Sequence, residues 1–183
     1  MNDFIFGTLS TDELRRQRQL SSRNGVVHNH RINPRDPMPG QEILIEMTAG
    51  PAYTGEKGWL YWTNDGSDPS GCLGKAMNGF VLELRTDDMT WDNELWGYIR
   101  HFGVEIPSQM DGTILKYKLS LENHSGSEIF ADEGITYAIF VSDDPAPAWS
   151  EDAIIYHIFI DRFNPGGGKT WNHPETLGGF FGG

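Results

Sequence analysis

Residues 112–121 read GTILKYKLSL, and their alternation decides the fold. Leu115, Tyr117, Leu119 and Leu121 fall on one side of an extended chain, while Lys116, Lys118 and Ser120 fall on the other. Successive side chains of a strand point to opposite faces, so this stretch is a strand with one dry and one wet face. Outward from it, the same period of two recurs. Tyr137, Ile139 and Val141 alternate within residues 136–142, and Ile43, Ile45 and Met47 lie opposite Glu42 and Glu46. Between these lie the apolar runs at residues 59–62, 80–84 and 97–106, punctuated by the turn cluster Asn64 to Pro69, by Pro107 and by Asp111-Gly112. No amphipathic helix is read between residues 41 and 142.

Short alternating strands need a facing layer to bury their apolar sides. The expectation is therefore all-β: an immunoglobulin-like antiparallel β-sandwich over residues 41–142. Residues 1–40 read as a flexible leader, in which the polar stretch 11–19 forms a short helix capped by Asp12. Within that leader, His28, Asn29 and His30 read as a solvated loop. Two histidines two apart with no acidic or thiol partner nearby make a poor metal site. No metal and no cofactor are expected.

The 183-residue chain carries a formal net charge of -12, which repels phosphate and disfavours nucleic acid and anionic membrane as partners. Neutral ligands such as sugars are compatible with it. Cys72 is the single cysteine, so no intrachain disulfide forms, and a reducing, cytoplasmic location is expected. The first twenty residues lack a basic segment followed by a long apolar run, and no stretch approaches ~20 apolar residues.

Residues 143–152, with Pro145 and Pro147, read as a stiff linker. Beyond them the pattern changes. Ala153 to Ile160 is almost continuously apolar, as a parallel strand buried on both faces reads. A glycine-rich loop at residues 165–168 follows, and the chain closes on GGFFGG, the pattern of a chain cut short. The run Trp149 to Phe163, with Tyr156-His157-Ile158-Phe159 and then Asp161-Arg162-Phe163, resembles the entry into the catalytic barrel of glycoside hydrolase family 13, the α-amylase family. The tail 178–183 resembles the segment leading to the next barrel helix, and the segment 61–69 resembles, more loosely, the N-terminal sandwich domains of these enzymes.

The resemblance implies that residues 153–183 are the truncated start of a (β/α)8 barrel. It further implies that the parent is a retaining hydrolase or transglycosylase acting on α-glucans such as starch, glycogen and maltooligosaccharides. Retention needs two carboxyl groups ~5 Å apart across the scissile bond. In the family they come from later strands, so no catalytic residue is assigned and this chain alone is expected to be inactive. Asp161 is implied to be structural. His157 stands where the family usually has glutamine. The loop 164–172 offers Asn164 and Asn172 with Lys169 opposing, too few carboxylates for calcium.

Aromatic faces stack on the C–H faces of pyranose rings, and Trp59, Tyr61, Trp62, Trp91, Trp96 and Tyr98 supply such faces. One face of each strand must fill the core or dock against the missing catalytic barrel. Trp62, Trp96 and Tyr98 are the candidate carbohydrate-binding residues, with an α-glucan or oligosaccharide as partner. A stand-alone carbohydrate-binding sandwich module is the alternative, and an adhesion or interaction sandwich a third reading.

Overall fold

The computed structural model describes residues 12–28, 30–144, 149 and 153–154. The chain divides into two units, Met1–Pro145 and Ala146–Gly183. In the second, Trp149 and Ile154 are exposed. The barrel strand through Ile160, together with His157, Asp161 and the loop 164–172, lies outside the described residues.

The first unit is an antiparallel β-sandwich. Its elements are α1 (Asp12–Arg23), β1 (Val26–Val27), β2 (Ile32–Asn33), β3 (Ile43–Ala49), β4 (Gly55–Thr63), β5 (Ser70–Cys72), β6 (Lys75–Asn78), β7 (Phe80–Asp92), β8 (Gly97–Ile106), β9 (Ile114–Asn123), β10 (Glu128–Phe130) and β11 (Tyr137–Phe140). The order across the sheet is β1-β3-β8-β7-β4-β9-β10, with β2 also on β3 and β11 also on β9.

Strand β7 belongs to both layers. Its first part, from Phe80 to Leu84, pairs with β4. From Arg85 onward it pairs with β8, and the register slips between Thr86 and Asp88. Such a bulge bends a strand and sharpens its twist. One layer is thus β3, β8 and the second part of β7; the other is the first part of β7, β4 and β9.

The alternation legible in the sequence sets the core. Ile43, Ile45, Met47, Phe102 and Ile106 come from the first layer, and Leu60, Leu115, Tyr117, Leu119, Leu121 and Ile139 from the second; all are buried. Each such side chain contributes roughly 1.5–3 kcal/mol when fully buried. The layers touch at Gly58, where an added Cβ would come within 2.9 Å of Met47 Cε and 2.7 Å of Leu84 Cδ1.

Part of the stretch read as a leader builds the sandwich. Helix α1 continues to Arg23. Strand β1 pairs Val26 and Val27 with Ala49 and Thr48, and β2 pairs Ile32 and Asn33 with Ile45 and Leu44. Between them the chain turns inward at His28, which is fully buried and not in a solvated loop. The cause is a set of polar partners on both layers. His28 Nδ1 donates to the Glu46 carbonyl of β3 at 2.7 Å. That bond leaves Nε2 to accept from the Tyr117 hydroxyl of β9 at 2.8 Å. The His28 backbone N–H and the Tyr137 hydroxyl both donate to Asp132 Oδ2, at 2.9 and 2.7 Å. Asp132 lies in the short 3-10 segment Ala131–Gly134 that joins β10 to β11. The network therefore ties the β1–β2 edge of one layer to the β10–β11 edge of the other. Burial lowers the His28 pKa below its ordinary value and raises that of Tyr117. Among the described residues no group of three or more His, Cys, Asp and Glu is arranged to hold a metal ion. No described helix is long and apolar enough to cross a membrane.

The small hairpin β5–β6 covers the outer face of β4. Tyr61 is buried beneath it, and its hydroxyl donates to Glu128 Oε1 at 2.7 Å and accepts from the Gly74 N–H at 2.9 Å. Glu128 also accepts from Leu73 N at 2.9 Å, so one carboxylate clips the hairpin to β10. The exposed Cys72 sits on this hairpin, and its thiol pKa is pushed up by the hydrogen bond to Glu128.

The His28 network predicts a pH dependence of stability. Stability rises with pH wherever the unfolded chain holds more protons than the folded one. A histidine whose folded pKa is depressed meets that condition as pH falls below its unfolded value near 6.5. The urea midpoint is therefore expected to fall as the pH drops below about 6.5. His28→Gln should flatten that slope and cost roughly 1–3 kcal/mol at neutral pH through polar groups left unpaired.

Candidate functional site

The three aromatics selected from the sequence separate into two environments. Trp62, a candidate for stacking on a sugar, is 6% exposed and lies in the core instead of on the surface that such a role needs. On β4 it shares with Leu60 the face turned to the core, while Trp59 and Tyr61 take the opposite face. Its ring lies 4.8 Å from that of Phe80, its cross-strand partner on β7. Its indole N–H is buried with no hydrogen-bond partner among the described residues.

Trp96 and Tyr98 are 78% and 55% exposed. They lie at the tip of the β7–β8 hairpin, together with Trp91, which is 45% exposed. Trp91 and Tyr98 are direct cross-strand partners, so their side chains leave the same face. The Trp91 ring stands edge-on to both neighbours, 5.6 Å from Trp96 at 71° and 5.0 Å from Tyr98 at 73°. The face is that of the core, because Tyr98 and Arg100 share the parity of Phe102 and Ile106 along β8. Pairing with β3 ends at Ala49 opposite Arg100. Residues 97–99 therefore overhang the sandwich, and side chains that would be core further in are here open to solvent.

The loop that closes the hairpin is held from several sides. Asp92 Oδ1 accepts from the N–H groups of Glu94 and Leu95, both at 2.9 Å. Its pKa is lowered by the Leu95 N–H above all, with Glu94 and the charge of Arg23 adding to it. Arg23, at the end of α1, reaches Asp92 Oδ2 at 2.9 Å and also pairs with Glu94. Trp91 Nε1 donates to Asn93 Oδ1 at 2.9 Å. Gly97 packs so closely on Pro51 that an added Cβ would come within 2.5 Å of it. Trp96 itself has φ +52°. A bulky side chain in the left-handed region costs ~1–2 kcal/mol, and a mostly exposed one recovers little of that by packing.

Beside Tyr98 opens a cleft of about 260 Å³ lined by Pro51, Tyr53, Thr54, Gly97, Tyr98 and Arg100. Arg100 is half-buried, and Nη1 donates to the Gly55 carbonyl of β4 at 2.7 Å. The arrangement offers apolar ring faces, angled to one another, next to a cleft whose one cation is fixed in place. It provides stacking and hydrogen-bond donation. Among the cleft-lining residues there is no carboxylate pair for acid–base chemistry. The sequence reading selects Trp96 and Tyr98 but not Trp91 or Arg100. The signal for Trp91 is the turn sequence Asp92-Asn93 between it and Tyr98, which makes residues 91 and 98 partners across a hairpin. Arg100 carries no local signal, since its place depends on where β3 stops.

The first unit is thus an antiparallel β-sandwich with an exposed aromatic cluster at one hairpin tip. In sequence it is similar to Alpha-amylase 2 of Dictyoglomus thermophilum, 24% identical over 162 residues, which cover 88% of this chain. The chain spans about a quarter of the length of that enzyme, 25%. No family model matches the chain. Among solved structures it is similar to a cycloalternan-forming enzyme from Listeria monocytogenes, in complex with a pentasaccharide substrate, at 17% identity and TM-score 0.45, covering 60% of this chain and 9% of that one. A likeness to the Reelin-N domain of F-spondin has 16% identity and TM-score 0.36, covering 69% of this chain and 98% of that one.

Two substitutions separate the two environments. Trp62→Ala is expected to cost about 3–5 kcal/mol of stability through the cavity it opens. Trp96→Gly should leave the urea midpoint unchanged or raise stability by about 0.5–1 kcal/mol, because glycine adopts the left-handed backbone without a Cβ clash. Chemical denaturation of the two variants checks both.

Proposed function

We propose that this chain is the N-terminal portion of an α-amylase-type glycoside hydrolase acting on α-glucans. In this reading its sandwich holds a glucan chain on Trp91, Trp96 and Tyr98, while catalysis belongs to a barrel that begins within residues 153–183. The observation that carries the binding role is Trp96, mostly exposed and held at φ +52° in a tightly braced loop. Backbone strain at an exposed aromatic has no use in stability, and points to a ligand-facing role. Three aromatic rings at angles to one another suit the C–H faces of successive pyranose units in a curved chain better than a flat surface. The acidic net charge of -12 suits a neutral ligand. The similarity to an α-amylase along 88% of the chain supports the enzyme class. The apolar run 153–160 and the Asp161-Arg162-Phe163 motif support the position of the barrel.

Titration with maltooligosaccharides, followed by tryptophan fluorescence and amide shifts, tests the binding role. Saturable binding is expected without hydrolysis. Trp91→Ala and Trp96→Ala should each weaken it by about tenfold or more, ~1.4 kcal/mol. Binding that survives the triple replacement of Trp91, Trp96 and Tyr98 by alanine would place the sugar elsewhere. No binding at all would overturn the binding role of the hairpin tip.

A further inference from the structure

We infer that Arg100 sets the specificity of the aromatic site by donating to a vicinal diol, so that the site takes glucans whose ring O2 and O3 are both free. The inference rests on the sugar-binding reading of Trp91, Trp96 and Tyr98. Arg100 follows Tyr98 on the same face of β8 and lines the same cleft. Its cross-strand partner on β7 is Met89, and that of Tyr98 is Trp91, so the guanidinium stands one pair inward from the stacking rings. It is half-buried, and its bond to the Gly55 carbonyl fixes its direction across the open end of the sandwich. Among the described residues that carbonyl is the one hydrogen-bond partner of the guanidinium, and none of the described ion pairs includes it. A guanidinium carries five N–H donors in a rigid planar fork, so most of them remain for a ligand.

In a chain with 26 acidic side chains against 14 basic ones, a cation fixed by a carbonyl and, among the described residues, paired with no carboxylate, between a tyrosine and a proline-lined wall, has the form of a ligand-facing group. Adjacent equatorial hydroxyls on one pyranose ring present two acceptor oxygens side by side, which a planar fork reaches together. An α-1,4- or α-1,6-linked ring keeps O2 and O3 free, whereas an α-1,3 or α-1,2 linkage occupies one of them. Stacking alone reads only the ring face and does not separate these linkages. An anionic sugar also fits a guanidinium fork, but the acidic surface around the site opposes its approach.

Cyclic α-1,4-heptaglucans test this without chain ends, using the unmodified ring, a ring methylated at every O6 and a ring methylated at every O2 and O3. By calorimetry on the 183-residue chain, the first two are expected to bind alike and the third about tenfold more weakly. Arg100→Lys keeps a donor for the Gly55 carbonyl but loses the fork, and should remove the difference between rings. Arg100→Met, checked for folding by its urea midpoint, should do the same. Trp91→Ala should weaken all three rings equally. Equal binding of the three rings by the unsubstituted chain would overturn the role of Arg100 and leave the aromatic site standing. So would a preference that persists in Arg100→Lys, or an oligouronide that binds more tightly than the neutral rings. Failure of every ring to bind would overturn the sugar-binding reading itself.

Discussion

Strand β7 has to serve two layers at once, and the arrangement of the rest follows from that constraint. Its thirteen residues are too long to stay in one twisted layer of this size. The register slip between Thr86 and Asp88 hands it from β4 to β8. Beyond the slip the strand runs past the end of β3, and with β8 it forms a hairpin that overhangs the core. The inward face of that hairpin inherits core parity with no described strand of the other layer covering it. Trp91 and Tyr98 are thus exposed by geometry and not by a polar environment, and Arg100 marks the point where enclosed core gives way to open cleft. On the opposite side the layers meet through the buried His28 and the partly buried Asp132, so continuous backbone joins one flank and a hydrogen-bond network joins the other.

How much of this was legible in the sequence depends on element length. Strands β3, β9 and β11 announce themselves because four or more residues alternate cleanly. β1, β2 and β10 have two or three residues each, too few to carry a period, and they form because a neighbour's edge is available to pair with. The same reason hides His28. Its burial depends on Glu46 and Tyr117, which are distant in sequence and meet only in the folded sandwich. Trp62 was misread because β4 is apolar on both faces. Alternation separated Trp59 and Tyr61 from Trp62 but gave no indication of which face was inside. The hairpin β5–β6, unread in the sequence, supplies a second cover, which is why Tyr61 is buried on the outer face as well.

The candidate site shows the same division. Trp96 and Tyr98 stand next to a glycine at a strand start, and their exposure could be read from that. Their relation to Trp91 required the register of the hairpin, and the bracing of the loop by Arg23 required α1 to fold back over it. Helix α1 has no buried residue, so its place is set by ion pairs. Its part in the molecule is therefore salt-sensitive in a way the core is not. Arg23 joins a helix with no buried residue to the loop that holds Trp96, the most exposed of the described tryptophans.

The two outer borders of the sandwich carry a further consequence, for behaviour at high concentration. Each border strand is shadowed by a pair of very short strands, β1 and β2 along β3, β10 and β11 along β9. Between each pair the backbone leaves the ladder, at His28 on one side and at Ala131–Gly134 on the other. A neighbouring molecule that approached either border would find only two to four residues of free ladder before the chain turned away. Open-ended growth of fibrils needs a long, flat, uninterrupted template. These interrupted borders, among the described strands, deny it one.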